Sequence, residues 1–176
     1  MKKSLVILSV LLLAVFAGAQ ADTDKEITRK AEFIIGLIDN VQWSDDRKPG
    51  DEDEILIYVV GESPVTPKLE ELAEKESAEG STITVKVVSE ADDLTASHIL
   101  FLPSDDVSLL AKVLKKVKNS PTVTVADAKD FARYGAMIAF FNKEDDSDIH
   151  YEINRLVVES AGLTISSKIM DKAELI

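Results

Sequence analysis

The chain has 176 residues, 20 Lys and Arg against 32 Asp and Glu, a formal net charge of −12, and no cysteine. That balance excludes a general nucleic-acid binder, which must neutralise phosphates with a basic surface, and it argues against anionic lipid headgroups as partners. The missing cysteines exclude thiolate metal sites, cysteine nucleophiles and disulfide stapling, so stability must come from an ordinary hydrophobic core, which one domain of this length can supply.

The first segment reads as an export signal. Lys2 and Lys3 form a basic start, an apolar run from Leu5 to Phe16 is broken only by Ser9, and Ala17, Gly18, Ala19, Gln20 and Ala21 follow. Ala17-x-Ala19 and Ala19-x-Ala21 both satisfy the small-x-small rule, and cleavage after Ala21 is expected because Asp22 opens a polar stretch. The apolar run is shorter than the roughly 20 residues that span a bilayer. Residues 1–21 are therefore expected to be a signal peptide, and residues 22–176 a periplasmic domain with no membrane insertion after cleavage. Loss of two lysines and no acids leaves 18 basic against 32 acidic residues, a charge of −14.

Thr23-x-x-Glu26 forms a capping box, and Ile27, Ala31, Ile34, Ile35 and Ile38 recur at helical spacing, predicting a first helix that ends near Val41 and is followed by Trp43. Residues 44–54 are a charged connection containing Pro49-Gly50. Ile55 to Val60 is a continuous apolar run, suited to a strand covered on both faces. Thr66 and Pro67 are placed as cap and first residue of a helix closed by Gly80. Ile83, Val85 and Val87 alternate along 82–88, predicting a half-exposed strand near a sheet edge. His98 to Leu102 is a second buried strand. Ser104 is expected to cap the next helix, with Asp105 and Asp106 in its first turn and Lys112, Lys115, Lys116 and Lys118 toward its C-terminal half, both favoured by the helix dipole.

Thr122 to Val125 is a short strand. Asp127 is expected to cap a helical turn at 128–133, and Gly135 to supply a positive φ or a close backbone approach. Residues 136–141 and 148–153 form an antiparallel hairpin across an acidic turn. In its second strand Ile149, Tyr151 and Ile153 share one face, while His150 and Glu152 take the other, outward one. Asn154 is expected to cap a last helix ending at Gly162, and the tail 163–176 to dock its apolar residues on the body. Together these elements define an α/β fold: a single-domain αβα sandwich, its sheet mostly parallel with a C-terminal antiparallel hairpin.

Chemistry-bearing patterns are sparse. The chain has two histidines, His98 at the start of a buried strand and His150. A Ser-His-Asp set could use Ser63 or Ser104 with His98, but Gly61-Glu62-Ser63-Pro64 lacks the second glycine of a nucleophile elbow. Two acidic runs, Asp45 to Asp53 and Glu144 to Asp148, lack the ordered alternation of a calcium loop and read as solvated connections. No glycine-rich phosphate loop or dinucleotide fingerprint follows the first strand. No catalytic residue, metal site or cofactor is expected.

The second half carries an ordered set of motifs: Ser97-His-Ile-Leu-Phe-Leu102, Pro121-Thr-Val-Thr-Val-Ala-Asp127, Phe131-Ala-x-x-Gly135-Ala-Met-Ile138, Tyr151-Glu-Ile-Asn154, Ala161-Gly-Leu163 and Ile165-Ser-Ser-Lys168. With Ala31-x-Phe33 and Trp43 ahead of them, this order resembles the YfiR-like family of periplasmic proteins, over about residues 30–172. The resemblance implies an α/β domain that acts as a non-enzymatic regulator. Its implied partner is the exported sensing domain of an inner-membrane signalling protein, a diguanylate cyclase, linking envelope conditions to cyclic di-GMP and biofilm. It also implies that a homodimer is one state such a chain can adopt. Where the family often has Cys before the motif histidine, this chain has Ser97, so disulfide-dependent control is impossible here. Ala136 replaces the second glycine of a pair, and Ser44 stands where the family has Pro after Trp.

Trp43, His150 and Glu152 are the partner-binding candidates, Trp43 because tryptophan is enriched at binding hot spots. The alternative is a small-molecule binding protein. Open α/β sheets take ligands beyond the carboxyl ends of their strands, here Gly61 to Val65, Pro103 to Asp105, and Ala126 to Asp127.

Overall fold

The computed structural model describes residues 23–43, 54–77, 82–143, 146 and 148–176. The expected export signal, the acidic connection at 44–53, Gly80, Glu144 and Asp145 lie outside the described residues. Helix α1 covers residues 23–40, and the chain then enters the short strand β1, Val41–Trp43. The principal strands are β2 (Glu54–Val60), β3 (Thr82–Val88), β4 (Ile99–Leu102), β5 (Val123–Ala126), β6 (Ile138–Phe141) and β7 (His150–Ile153). Helices α2 (Thr66–Ser77) and α3 (Val107–Val117) link β2 to β3 and β4 to β5. After β7 come α4 (Arg155–Ser160), β8 (Leu163–Ile165), α5 (Ser167–Met170) and β9 (Glu174–Leu175).

Seven strands form one sheet in the order β3-β2-β4-β5-β6-β7-β9. Pairing is parallel from β3 through β6, antiparallel between β6 and β7, and parallel again between β7 and β9. The alternating strand at 82–88 is β3, at the sheet edge, as its half-exposed pattern demands. The continuous apolar runs of β2 and β4 are covered on both faces. Ile57, Val59, Ile99 and Phe101 enter one core layer, while Tyr58, Val60, Leu100 and Leu102 enter the other. Helices α1, α2 and α4 close the first layer, and α3 closes the second with Phe131, Ala132 and Ala136. The result is the expected αβα sandwich.

Local chemistry moved several boundaries. Strand β1 pairs antiparallel with β8, Trp43 opposite Leu163, so the chain leaves α1 into a two-stranded ribbon rather than a helix end. Within α1, Ala31 and Ile34 of the expected stripe are fully buried together with Leu37, while Ile35 and Ile38 are partly buried against the same core. Ser104 is not the cap of α3; Asp106 is, accepting from the amides of Ser108 and Leu109, while Ser104 Oγ accepts from Asp106 N–H. Thr66 does not cap α2 through its hydroxyl, which is buried without a partner, and Ser63 Oγ instead accepts from Val65 N–H.

Candidate functional site

A helical turn capped by Asp127 was expected at 128–133, and the structure has a series of tight turns there instead, with Asp130 at φ +66°. Asp127 is used otherwise. Its Oδ1 lies 2.7 Å from Lys30 Nζ, which is also 2.7 Å from Glu26 Oε1 and sits over the Phe140 ring at 5.7 Å. The Lys30 side chain is 9% exposed. Burial works against its charge, but the carboxylates of Asp127 and Glu26 outweigh that cost and hold the ammonium above its ordinary pKa. The neighbouring Arg29 pairs with Asp148 at 2.8 Å. Together these ion pairs fasten the N-terminal half of α1 over the carboxyl ends of β5 and β6, the rim where an open α/β sheet normally receives its ligand. The sequence signal for Lys30 is a lysine between Ile27 and Ile34 on a helical stripe, four residues after Glu26.

The three partner candidates do not share a surface. Trp43 is half-buried at the amino ends of the parallel strands, where its Nε1 donates to Pro121 O at 2.6 Å and its ring meets His98 edge-on at 5.5 Å. His150 lies at the opposite end, beside Phe141, with Nε2 2.8 Å from Asp146 Oδ2. The Asp148 amide, and after it the His150 imidazole, lower the pKa of Asp146. Glu152 is not outward-facing. It is 3% exposed, because β9 pairs alongside β7 with Glu174 opposite it and Arg133 reaches within 3.8 Å of its Oε1. Its Oε2 has no hydrogen-bond partner.

Gly135 adopts φ +111°, and an added Cβ there would come 3.2 Å from Leu114 Cδ1. Asn154 caps α4, its Oδ1 accepting from Val157 N–H at 3.1 Å while its Nδ2 donates to Ala132 O at 2.9 Å. Gly162 closes the same helix at φ +73°. The Ser-His arrangements are impossible. His98 is buried at the amino end of β4 with Nδ1 accepting from Leu56 N–H, whereas Ser63 and Ser104 follow the carboxyl ends of β2 and β4. Six residues of mostly extended chain separate His98 from Ser104 by roughly 20 Å.

A pocket of about 670 Å³ opens at the amino ends of β5 and β6. It exists because β6 pairs with β5 only at Val125↔Ile138 and Ala126↔Ala139. Ahead of that point Thr124 Oγ1 takes the Met137 amide at 2.9 Å, and the strands part. The C-terminal half of α3 forms one wall and α4 the other, with Thr122, Thr124, Gly135 and Met137 as the floor. Leu156 on α4 is 73% exposed at its edge.

The arrangement is an αβα sandwich domain with a cleft at the amino ends of two strands; among the described residues no three His, Cys, Asp or Glu side chains gather to hold a metal. The chain belongs to the YfiR/HmsC-like family, whose profile matches residues 28–174. Its fold is similar to that of the ABC domain in complex with L-Trp from Streptococcus pneumonia, at TM-score 0.55 and 13% identity over 85% of this chain and 59% of the other. It is also similar to a conserved domain protein from Vibrio cholerae O1 biovar El Tor, at TM-score 0.53 and 16% identity over 85% and 59% of the two chains. The chain thus spans about three-fifths of the length of these solved structures. No curated protein matches it.

Proposed function

We propose that this chain is an exported, non-catalytic binding protein whose direct ligand is a small molecule. The observation that carries the reading is the pocket at the amino ends of β5 and β6. Its volume, about 670 Å³, lies within the roughly 300–1,000 Å³ usual for small-molecule sites. The likeness in fold to a domain described in complex with an amino acid supports it. The lysine and arginine staples of α1 argue against the opposite, carboxyl rim as the site. The test is native mass spectrometry on the chain purified from the periplasm, combined with a thermal-shift screen of periplasmic metabolites. A retained or stabilising compound supports the reading, and a chain that is empty and unmoved by every compound sinks it.

Family membership favours a second, compatible reading: a periplasmic regulator that restrains the exported sensing domain of an inner-membrane, diguanylate-cyclase-like protein. A ligand with different affinities for the free and docked states would then alter docking, and docking would alter ligand affinity by the same factor. Co-purification of a membrane sensor, with a rise in cyclic di-GMP on deletion, is the expected result. Unchanged cyclic di-GMP with no co-purifying sensor rejects it.

A further inference from the structure

The polar groups around the pocket differ in what they have left to offer. Thr122 Oγ1 donates to Ser97 O and contacts Ser120, Thr124 Oγ1 holds the Met137 amide, and Ser160 Oγ donates to Leu156 O. Thr122 and Ser160 spend their hydroxyl protons on backbone carbonyls, while Thr124 Oγ1 is engaged as an acceptor. Lys115 in the last turn of α3 and Lys118 at its C-cap line the same pocket and are exposed; Lys115 also borders a second cleft holding Glu90 and Asp92, but neither lysine forms an ion pair among the described residues. The acid of α4, Glu159, is already engaged by Arg155 at 2.7 Å. Between the lysines and α4 the lining is apolar, chiefly Leu114, Met137, Leu156 and Val157. In a chain of net charge −12, two cations that form no ion pair among the described residues, beside an apolar cleft, define a local preference that the overall charge would hide.

We infer that the pocket takes a small amphiphilic anion, its apolar body against Leu156, Val157 and Met137 and its carboxylate between Lys115 and Lys118. A neutral hydrophobe would leave both ammonium groups without a counter-charge, and an organic cation would be repelled by them. A charge-assisted contact is stronger than a neutral hydrogen bond, so the preference for the anion should be measurable. This inference rests on the small-molecule reading above and sharpens it to a ligand class.

The test is calorimetric titration of residues 22–176 with octanoate, octanol and octylammonium, which share one chain length and differ in charge. Octanoate is expected to bind saturably at one site, at least about tenfold tighter than octanol, with no detectable octylammonium binding. The K115Q/K118Q variant should weaken octanoate by about tenfold and leave octanol unchanged. Both lysines are exposed, so folding should be unaffected. As an independent readout on the unaltered chain, octanoate should shift methyl resonances of Leu114, Met137, Leu156 and Val157. Octanoate binding no tighter than octanol, insensitivity to K115Q/K118Q, or shifts confined to the Lys30–Asp127 rim each overturns the inference. A metabolite that co-purifies but ignores K115Q/K118Q overturns this site and leaves the small-molecule reading standing. The absence of any ligand removes both.

Discussion

Lys30 is a cation placed in an apolar stripe, and it is tolerated because two carboxylates and an aromatic face surround it. Removing it would leave Asp127 and Glu26 facing each other without their counter-charge. Lys30→Met is therefore expected to lower stability by about 2–4 kcal/mol, and adding Asp127→Asn should recover part of the loss. Urea unfolding followed by the fluorescence of Trp43, the single tryptophan, measures both. Ser97 presents the opposite case. It is fully buried and its Oγ has no partner. Ser97→Ala removes an unsatisfied hydroxyl and is expected to raise stability by about 1 kcal/mol, read as a higher melting temperature. A fall in stability would mean that the hydroxyl is bonded in solution.

At the scale of elements, α4 is only six residues long, so its ends matter more than its helix propensity. Asn154 is connected in two directions, capping α4 and reaching back to Ala132 in the turn before β6. Asn154→Ala should cost about 1–2 kcal/mol and, because α4 is a wall of the pocket, should also weaken ligand binding. Strand β9 adds a final pairing to β7 and brings Ile176 N–H to Ile153 O at 3.1 Å. Deleting residues 174–176 uncovers Glu152 and removes the partly buried Ile176. A loss of about 1–2 kcal/mol is expected, with faster amide exchange along β7 but not along β2.

At the scale of the whole molecule, stability should decline on the alkaline side. The pKa of Lys30 is raised despite burial, and burial raises that of Tyr151, whose hydroxyl donates to Ile169 O at 2.9 Å. In both cases the folded state holds its proton more tightly than the unfolded chain. Their contribution is full below the unfolded values, about 10 for Tyr and 10.4 for Lys, and is lost as pH rises through the folded ones. Melting temperature is expected to fall above about pH 10, with Lys30→Met showing a shallower decline. Export belongs to this scale too. The periplasmic protein should begin at Asp22; Met1 at its N-terminus, or recovery only from the cytoplasm, would reject the export reading.

The sandwich was legible in the sequence because burial imposes periodicity. Continuous runs at Ile55–Val60 and Ile99–Leu102 require cover on both faces, alternation at 82–88 requires an edge, and the acidic turn between two apolar runs requires a hairpin. Asn154 and Gly162 were legible for a similar local reason: a cap and a left-handed stop act within a few residues of themselves. The functions of Asp127 and Glu152 were not, since Asp127 meets Lys30 from 97 residues away and Glu152 is buried by a strand at the far end of the chain. The pocket belongs to the same class. Nothing local says that β6 pairs with only the last two residues of β5, or that α3 and α4, from opposite faces of the sheet, converge on the gap. Composition and periodicity thus determined the class of fold, because burial repeats with the period of each element, while the cleft proposed to hold a ligand was decided by long-range packing.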